Sequence, residues 1–157
     1  MVASAARGSF GATFSIGSTA GTFLATSTVT LAAVAEILTI TPPTYSANTV
    51  DVTNQNTTEF FKEALSGVRD PGSLSITANY LSTNTVHQTS LPFYFNNGQK
   101  MAWMITLAGT SSMNYFCGYG YITSYNWTSP PDGAVTFAAT VKITGKPIGP
   151  VSGSSMI

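Results

Sequence analysis

The side chains of this 157-residue chain that could do chemistry are few and stand apart. His87, the single histidine, is the only imidazole base for a hydrolytic triad, and Cys117 is the only thiol. A serine nucleophile working with such a base sits on a Gly-x-Ser-x-Gly elbow in one large enzyme class, and no such elbow occurs here. His87 therefore reads as a helix-surface or interface group. Cys117 lies between Tyr115 and Tyr119 with no cation close by to lower its pKa, so it reads as a small apolar side chain. Glu59 and Glu63, four apart, could share a helical face as an acid/base pair. Lys62 beside them favours a solvated face or an intersubunit ion pair instead. Asp51 and Asp70 each adjoin turn-forming residues and read as turn or cap groups. One Cys and one His exclude an internal disulfide and an all-Cys/His zinc site. No catalytic set, metal or cofactor is expected.

The composition points the same way. Six basic and six acidic residues give a formal net charge of zero, with 8% charged and 43% hydrophobic residues. That removes the basic footprint of a nucleic-acid binder. A count of 24 Thr and 18 Ser leans towards strands and turns. The most apolar stretch, Val29 to Ile40, is short for a membrane span and contains Glu36. No secretory leader or membrane segment is expected. A chain with so few charges lacks the repulsion that disperses a monomer, which implies a surface covered by partners.

Five segments that position these residues show strand character. They are Ser73 to Tyr80, Met101 to Leu107, Tyr115 to Trp127, Val135 to Thr144, and Val29 to Thr41, the last apolar on both faces. A Gly-containing link at Ala108 to Ser112 and the turn Ser129-Pro130-Pro131-Asp132-Gly133 make the last three strands an antiparallel meander. Arg69-Asp70-Pro71-Gly72 is a sharp turn in which Gly72 supplies the freedom in φ. Thr85 to Gln88 fits a capping box and Asn97-Gly98 a helix stop, so a short helix is expected at about 85–96, divided or kinked near Pro92. A further helical turn is expected at Glu59 to Leu65. Residues 1–22, with isolated Phe10, Phe14 and Ile16, read as an N-terminal arm. Residues 147–157 read as a C-terminal arm, because Pro147 and Pro150 should end any strand. The whole is expected to be one domain, with a core at 23–146 and a long polar loop at 41–58. Gly118-Tyr119-Gly120-Tyr121 looks like part of a potassium-channel filter, but without flanking membrane helices that likeness has no mechanism.

One stretch sharpens the reading. Residues 49–81, TVDVTNQNTTEFFKEALSGVRDPGSLSITANYL, resemble the central signature of the tail tube proteins of long-tailed, siphophage-like bacteriophages. The resemblance rests on Asp51, Thr53, Phe60, Phe61, Gly67, Val68, Arg69, Asp70 and Gly72, and continues through Trp103 to the closing Val141-Lys142-Ile143-Thr144-Gly145-Lys146-Pro147. It covers about residues 27 to 150.

The resemblance implies a mainly β fold, an antiparallel β-sandwich or barrel-like tube domain with one short flanking α-helix. It implies a non-enzymatic virion protein whose hexameric rings stack into a conduit for double-stranded DNA, which passes without specific binding. The partners implied are other copies of the chain, a tape measure protein, and tail terminator and tail-tip proteins. The site would be an assembly surface formed by Phe10, Phe14, Ile16, Pro42, Pro43, Tyr45, Asp51, Glu59, Lys62, Glu63, Arg69, Asp70, Pro147 and Ile148. Two other classes compete with this reading. A secreted carbohydrate-binding or adhesin β-sandwich would use Trp127 and Tyr125 as a stacking platform, and a hydrolase would be built around His87.

Overall fold

A computed structural model describes residues 11–18, 30–53, 61–107 and 114–152. Nine strands are formed among these: β1 (Thr13–Gly17), β2 (Leu31–Ala33), β3 (Ile37–Thr41), β4 (Ser46–Asp51), β5 (Ala64–Asp70), β6 (Ser73–Asn79), β7 (Met101–Leu107), β8 (Asn114–Thr128) and β9 (Thr136–Ser152). Seven make one sheet in the order β2-β1-β7-β8-β9-β6-β3, and β4 and β5 pair by themselves. Every pairing is antiparallel. Strands β7, β8 and β9 are the expected meander; the link 108–112 lies outside the described residues.

The edge strands β2 and β3 are joined by only Val34, Ala35 and Glu36, so the sheet must curl until its edges approach. This is the barrel-like sandwich expected from the sequence. Val29 to Thr41 is not one strand but two, broken at Glu36, whose φ of 50° turns the chain. The corner drops Val34 into the core, its N–H donating to the Phe14 carbonyl (2.8 Å), while Asn79 N–H donates to the Glu36 carbonyl (3.0 Å). A stretch apolar on both faces thus serves two edges of one curled sheet.

Both arms are corrected as well. Phe14 and Ile16 belong to β1, inside the main sheet, opposite Ile105 and Trp103. Both are buried in the core, and burying each is worth about 1.5–3 kcal/mol, which orders a segment that its Gly, Ser and Thr content suggested was loose. Phe10 lies outside the described residues. At the other end β9 does not stop at Gly145 but runs to Ser152, pairing with β8 back to Asn114. Positive φ at Gly145 (74°) and Gly149 (122°) and register shifts near Cys117 let a strand continue past two prolines. Pro147 and Ile148 are therefore half-buried strand residues, not a free tail.

Among the described residues the core is one cluster from β1, β6, β7, β8 and β9, with Val34, Val86 and Leu91 completing it. The long aromatic strand does not present one stripe. Gly118, Gly120 and Ile122 turn inward, Tyr119 and Tyr121 outward, and after a register shift between Ile122 and Ser124 it is Tyr125 that packs on the core. Gly118 is required by close approach: a Cβ there would lie 3.1 Å from the ring of buried Trp103 across the ladder. The expected helix is divided, a π-helical turn at Val86–Ser90 followed by α1 (Leu91–Asn96), with Pro92 in the first turn of α1, where it costs no hydrogen bond. The cap differs from the expected box: Asn84 Oδ1, not Thr85, accepts from the N–H groups of Val86 (2.9 Å) and His87 (3.3 Å). Gly98, with φ 57°, ends the helix as expected.

Candidate assembly interface

Strands β4 and β5 stand off the sandwich as a separate ladder in which every residue except Gly67 is exposed. Residues 41–58 are thus in part a strand rather than a loop. The expected helical turn at Glu59 to Leu65 is replaced by backbone pairing from Ala64 onward. Glu59 and residues 54–58 lie outside the described residues. An isolated two-stranded ribbon is marginal in water, and this one carries exposed Val50, Leu65 (61%) and Val68 (81%) with Phe61 (72%) close by. Val50 and Leu65 sit opposite each other and share a face. An apolar ribbon of this kind presents surface that a partner would bury.

The two aspartates of the sequence motif mark the two ends of this ribbon. At the far end, Asp51 Oδ1 accepts from Thr53 N–H (2.9 Å) and Thr53 Oγ1 (2.5 Å), and Thr53 Oγ1 accepts from Glu63 N–H (3.0 Å). Val52 N–H donates to the Glu63 carbonyl (2.9 Å), so Asp-x-Thr closes the strand ends. Those Thr53 bonds hold the Asp51 carboxyl below the usual carboxylate range. Lys62 approaches Asp51 at 4.0 Å, both exposed, a contact worth little. At the base, Asp70 Oδ1 accepts from Gly72 N–H (2.8 Å), and Lys142 Nζ donates to both carboxylate oxygens (2.8 and 2.9 Å). The Lys142 hydrogen bond first, and then the Gly72 amide, lower the Asp70 pKa. Gly72 has the positive φ (76°) expected of it.

Of the other expected surface residues, Pro42, Tyr45, Lys62, Glu63 and Arg69 are exposed around or on the ribbon, and Pro43 is half-buried. Phe14 and Ile16 are core and unavailable to a partner. His87 is not a surface group either. Its ring is buried, Nδ1 accepts from Leu81 N–H (3.1 Å), Nε2 has no hydrogen-bond partner among the described residues, and Phe137 packs edge-on at 4.7 Å. Burial lowers its pKa, opposed by the nearby Ala35 backbone and the Glu36 carboxylate. The Tyr125 hydroxyl donates to the His87 carbonyl (3.2 Å), tying the helical turn to β8. Trp127 is 66% exposed and stacks on Tyr80, not Tyr125, at 5.8 Å. Burial pushes the Cys117 thiol up to about 11, as suits a packed, unreactive side chain. Among the described residues no cluster of three or more His, Cys, Asp or Glu could hold a metal, and no helix is long and apolar enough to cross a membrane.

The geometry is therefore that of a curled β-sheet body with an exposed two-stranded ribbon. The family model described as "Lambda phage tail tube protein, TTP" matches residues 17–149. The chain belongs to that family. No curated protein matches it. Among solved structures, a chain of the virion of a native gene transfer agent particle is 19% identical with a TM-score of 0.60, over 74% of this chain and 86% of that one. The SPP1 tail tube is 14% identical with a TM-score of 0.59, over 85% and 73%. A chain of the anti-feeding prophage baseplate, solved with six-fold symmetry, is 7% identical with a TM-score of 0.64, over 95% and 98%. At these identities the likeness is one of fold. As a tail tube family member the protein is a structural component of the phage tail.

Proposed function

We propose that the chain acts as a single unit in hexameric rings that stack into a tube, and that the tube conducts double-stranded DNA without binding it specifically. The exposed ribbon carries this reading. Its apolar residues Val50, Leu65 and Val68 are left exposed by the described residues, and a head-to-tail contact that does not close on itself generates an open stack. The tail of an empty gene transfer agent particle, solved with C6 symmetry, has a related chain at 19% identity, which supports six as the ring number. A wall that binds phosphates would retain DNA through counterion release, and a subunit with six basic residues in all avoids that easily. The interface comprises Tyr45, Asp51, Lys62, Glu63, Arg69 and Asp70 with the apolar positions Val50, Leu65 and Val68, and Pro42 and Pro43 lead into it. Tape measure, terminator and tip proteins are the further partners this role entails, and no enzymatic activity belongs to it.

The test is removal of the ribbon. The Thr44 carbonyl packs against Gly72, so residues 45–70 can be replaced by a short Gly-Ser link without displacing β6. The expected product folds, by circular dichroism, and sediments as a monomer at concentrations where the full chain forms tubes. Normal tubes from this variant would overturn the assignment.

A further inference from the structure

The base of the ribbon is built differently from its far end. Every partner of the Asp51–Thr53–Glu63 bonds lies within the ribbon or its closing residues. The Asp70 carboxylate instead reaches off the ribbon to Lys142 on β9, a strand more than seventy positions further along the chain. Lys142 is directly opposite Ser73, the first residue of β6. Its neighbours Val141 and Ile143 are buried, so its own side chain lies on the outer face of the sheet. Ile143 N–H donates to the Gly72 carbonyl (3.1 Å), which fastens the turn between ribbon and sandwich to the same stretch of β9. Asp70 is thus held twice, by the amide of its own turn and by both contacts to one ammonium, on a carboxylate that is itself half in water.

An exposed pair of this kind adds little to folding. What two short charge-assisted bonds do supply is direction. A ribbon joined to its body by two short linkers, with all its residues but Gly67 exposed, could otherwise swing.

We infer that the Asp70–Lys142 pair is a positioning clamp: it holds the β4–β5 ribbon at the angle that ring stacking requires, and so governs assembly rather than folding. This rests on the proposed tube function. Loss of the clamp leaves only a fraction of subunits with the ribbon correctly aimed. If that fraction falls to about a tenth, the apparent dissociation constant at each stacking contact rises about ten-fold.

Lys142→Gln removes the charge and keeps the Asp70 turn to Gly72, and Lys142→Arg keeps a cation able to bind both oxygens. Two readouts are needed. The first is the distance distribution between spin labels at Val50→Cys and Ser124→Cys in the dilute, unassembled full chain, where buried Cys117 does not take label. The second is the concentration at which tubes appear by electron microscopy. The expected result is a narrow distribution in the parent and Lys142→Arg, and a broad one in Lys142→Gln. Lys142→Gln should also need about ten-fold more protein to form tubes, with an unchanged thermal transition. A narrow distribution in Lys142→Gln overturns the clamp, and so does a broad one with normal tubes. Absence of tubes from the parent chain at any concentration would refute the tube function instead, while the distance measurement would still decide whether the clamp exists.

Discussion

The sandwich and the ribbon obey opposite rules. In the seven-stranded body, residues such as Phe14, Trp103 and Phe137 are wholly buried, and even the one histidine is sealed inside. In the β4–β5 ribbon the apolar residues face water, and the polar ones bond at its two ends, Asp51 within the ribbon and Asp70 across to Lys142 of the body. The body has a packed core of its own. The ribbon has none, and in the proposed tube a neighbouring copy would supply its cover. The division also separates stability from assembly, so the two can be perturbed one at a time.

The largest effect is expected from Phe14→Ala. As a core residue it should cost about 3–5 kcal/mol in urea unfolding, whereas a residue of a loose arm would change stability by less than about 0.5 kcal/mol. A small change would return β1 to the status of an arm and shrink the body.

Acid should separate the two regions next. His87 has a lowered pKa in the fold, so the unfolded chain takes up its proton first. Stability from this group is intact above about pH 6.5 and falls as the pH drops below it, levelling off beneath the lowered folded value. Protonation at Nδ1 would also replace the acceptor that Leu81 N–H uses. Asp51 and Asp70 have lowered values too, and their contribution is kept above the ordinary carboxylate range and lost only as the pH falls through their folded values. Hydrogen exchange along a pH series should therefore show the Val86–Asn96 region loosening at milder acidity than the ribbon. The reverse order would mean that His87 is not sealed.

The smallest change in subunit stability is expected from Leu65→Ser. The monomer should unfold within about 0.5 kcal/mol of the parent, yet tubes should fail to form. Loss of fold would show that the ribbon belongs to the body after all.

Much of the body was legible from alternation: β6, β7, the meander and the helix around Pro92 follow from period-two patterns and turn chemistry. The misses have physical reasons. Phe14 and Ile16 looked isolated because their strand is short and its neighbours are small, and only their distant partners Ile105 and Trp103 make them core. Pro147 and Pro150 looked like breakers, but glycine-borne bulges let the ladder pass them. The ribbon was hidden because residues exposed on both faces carry no alternation. Its two aspartates were visible as turn formers, and the pairing of Asp70 with Lys142 was not, since nothing local announces a contact across that much chain. The single signal for a buried His87 was its place between Val86 and Leu91.

The most direct test of the central claim is negative-stain electron microscopy of the purified full chain at low and high concentration. Six-fold rings or hollow tubes that increase with concentration are expected. A folded protein that stays monomeric at high concentration, with neither rings nor tubes, would contradict the claim.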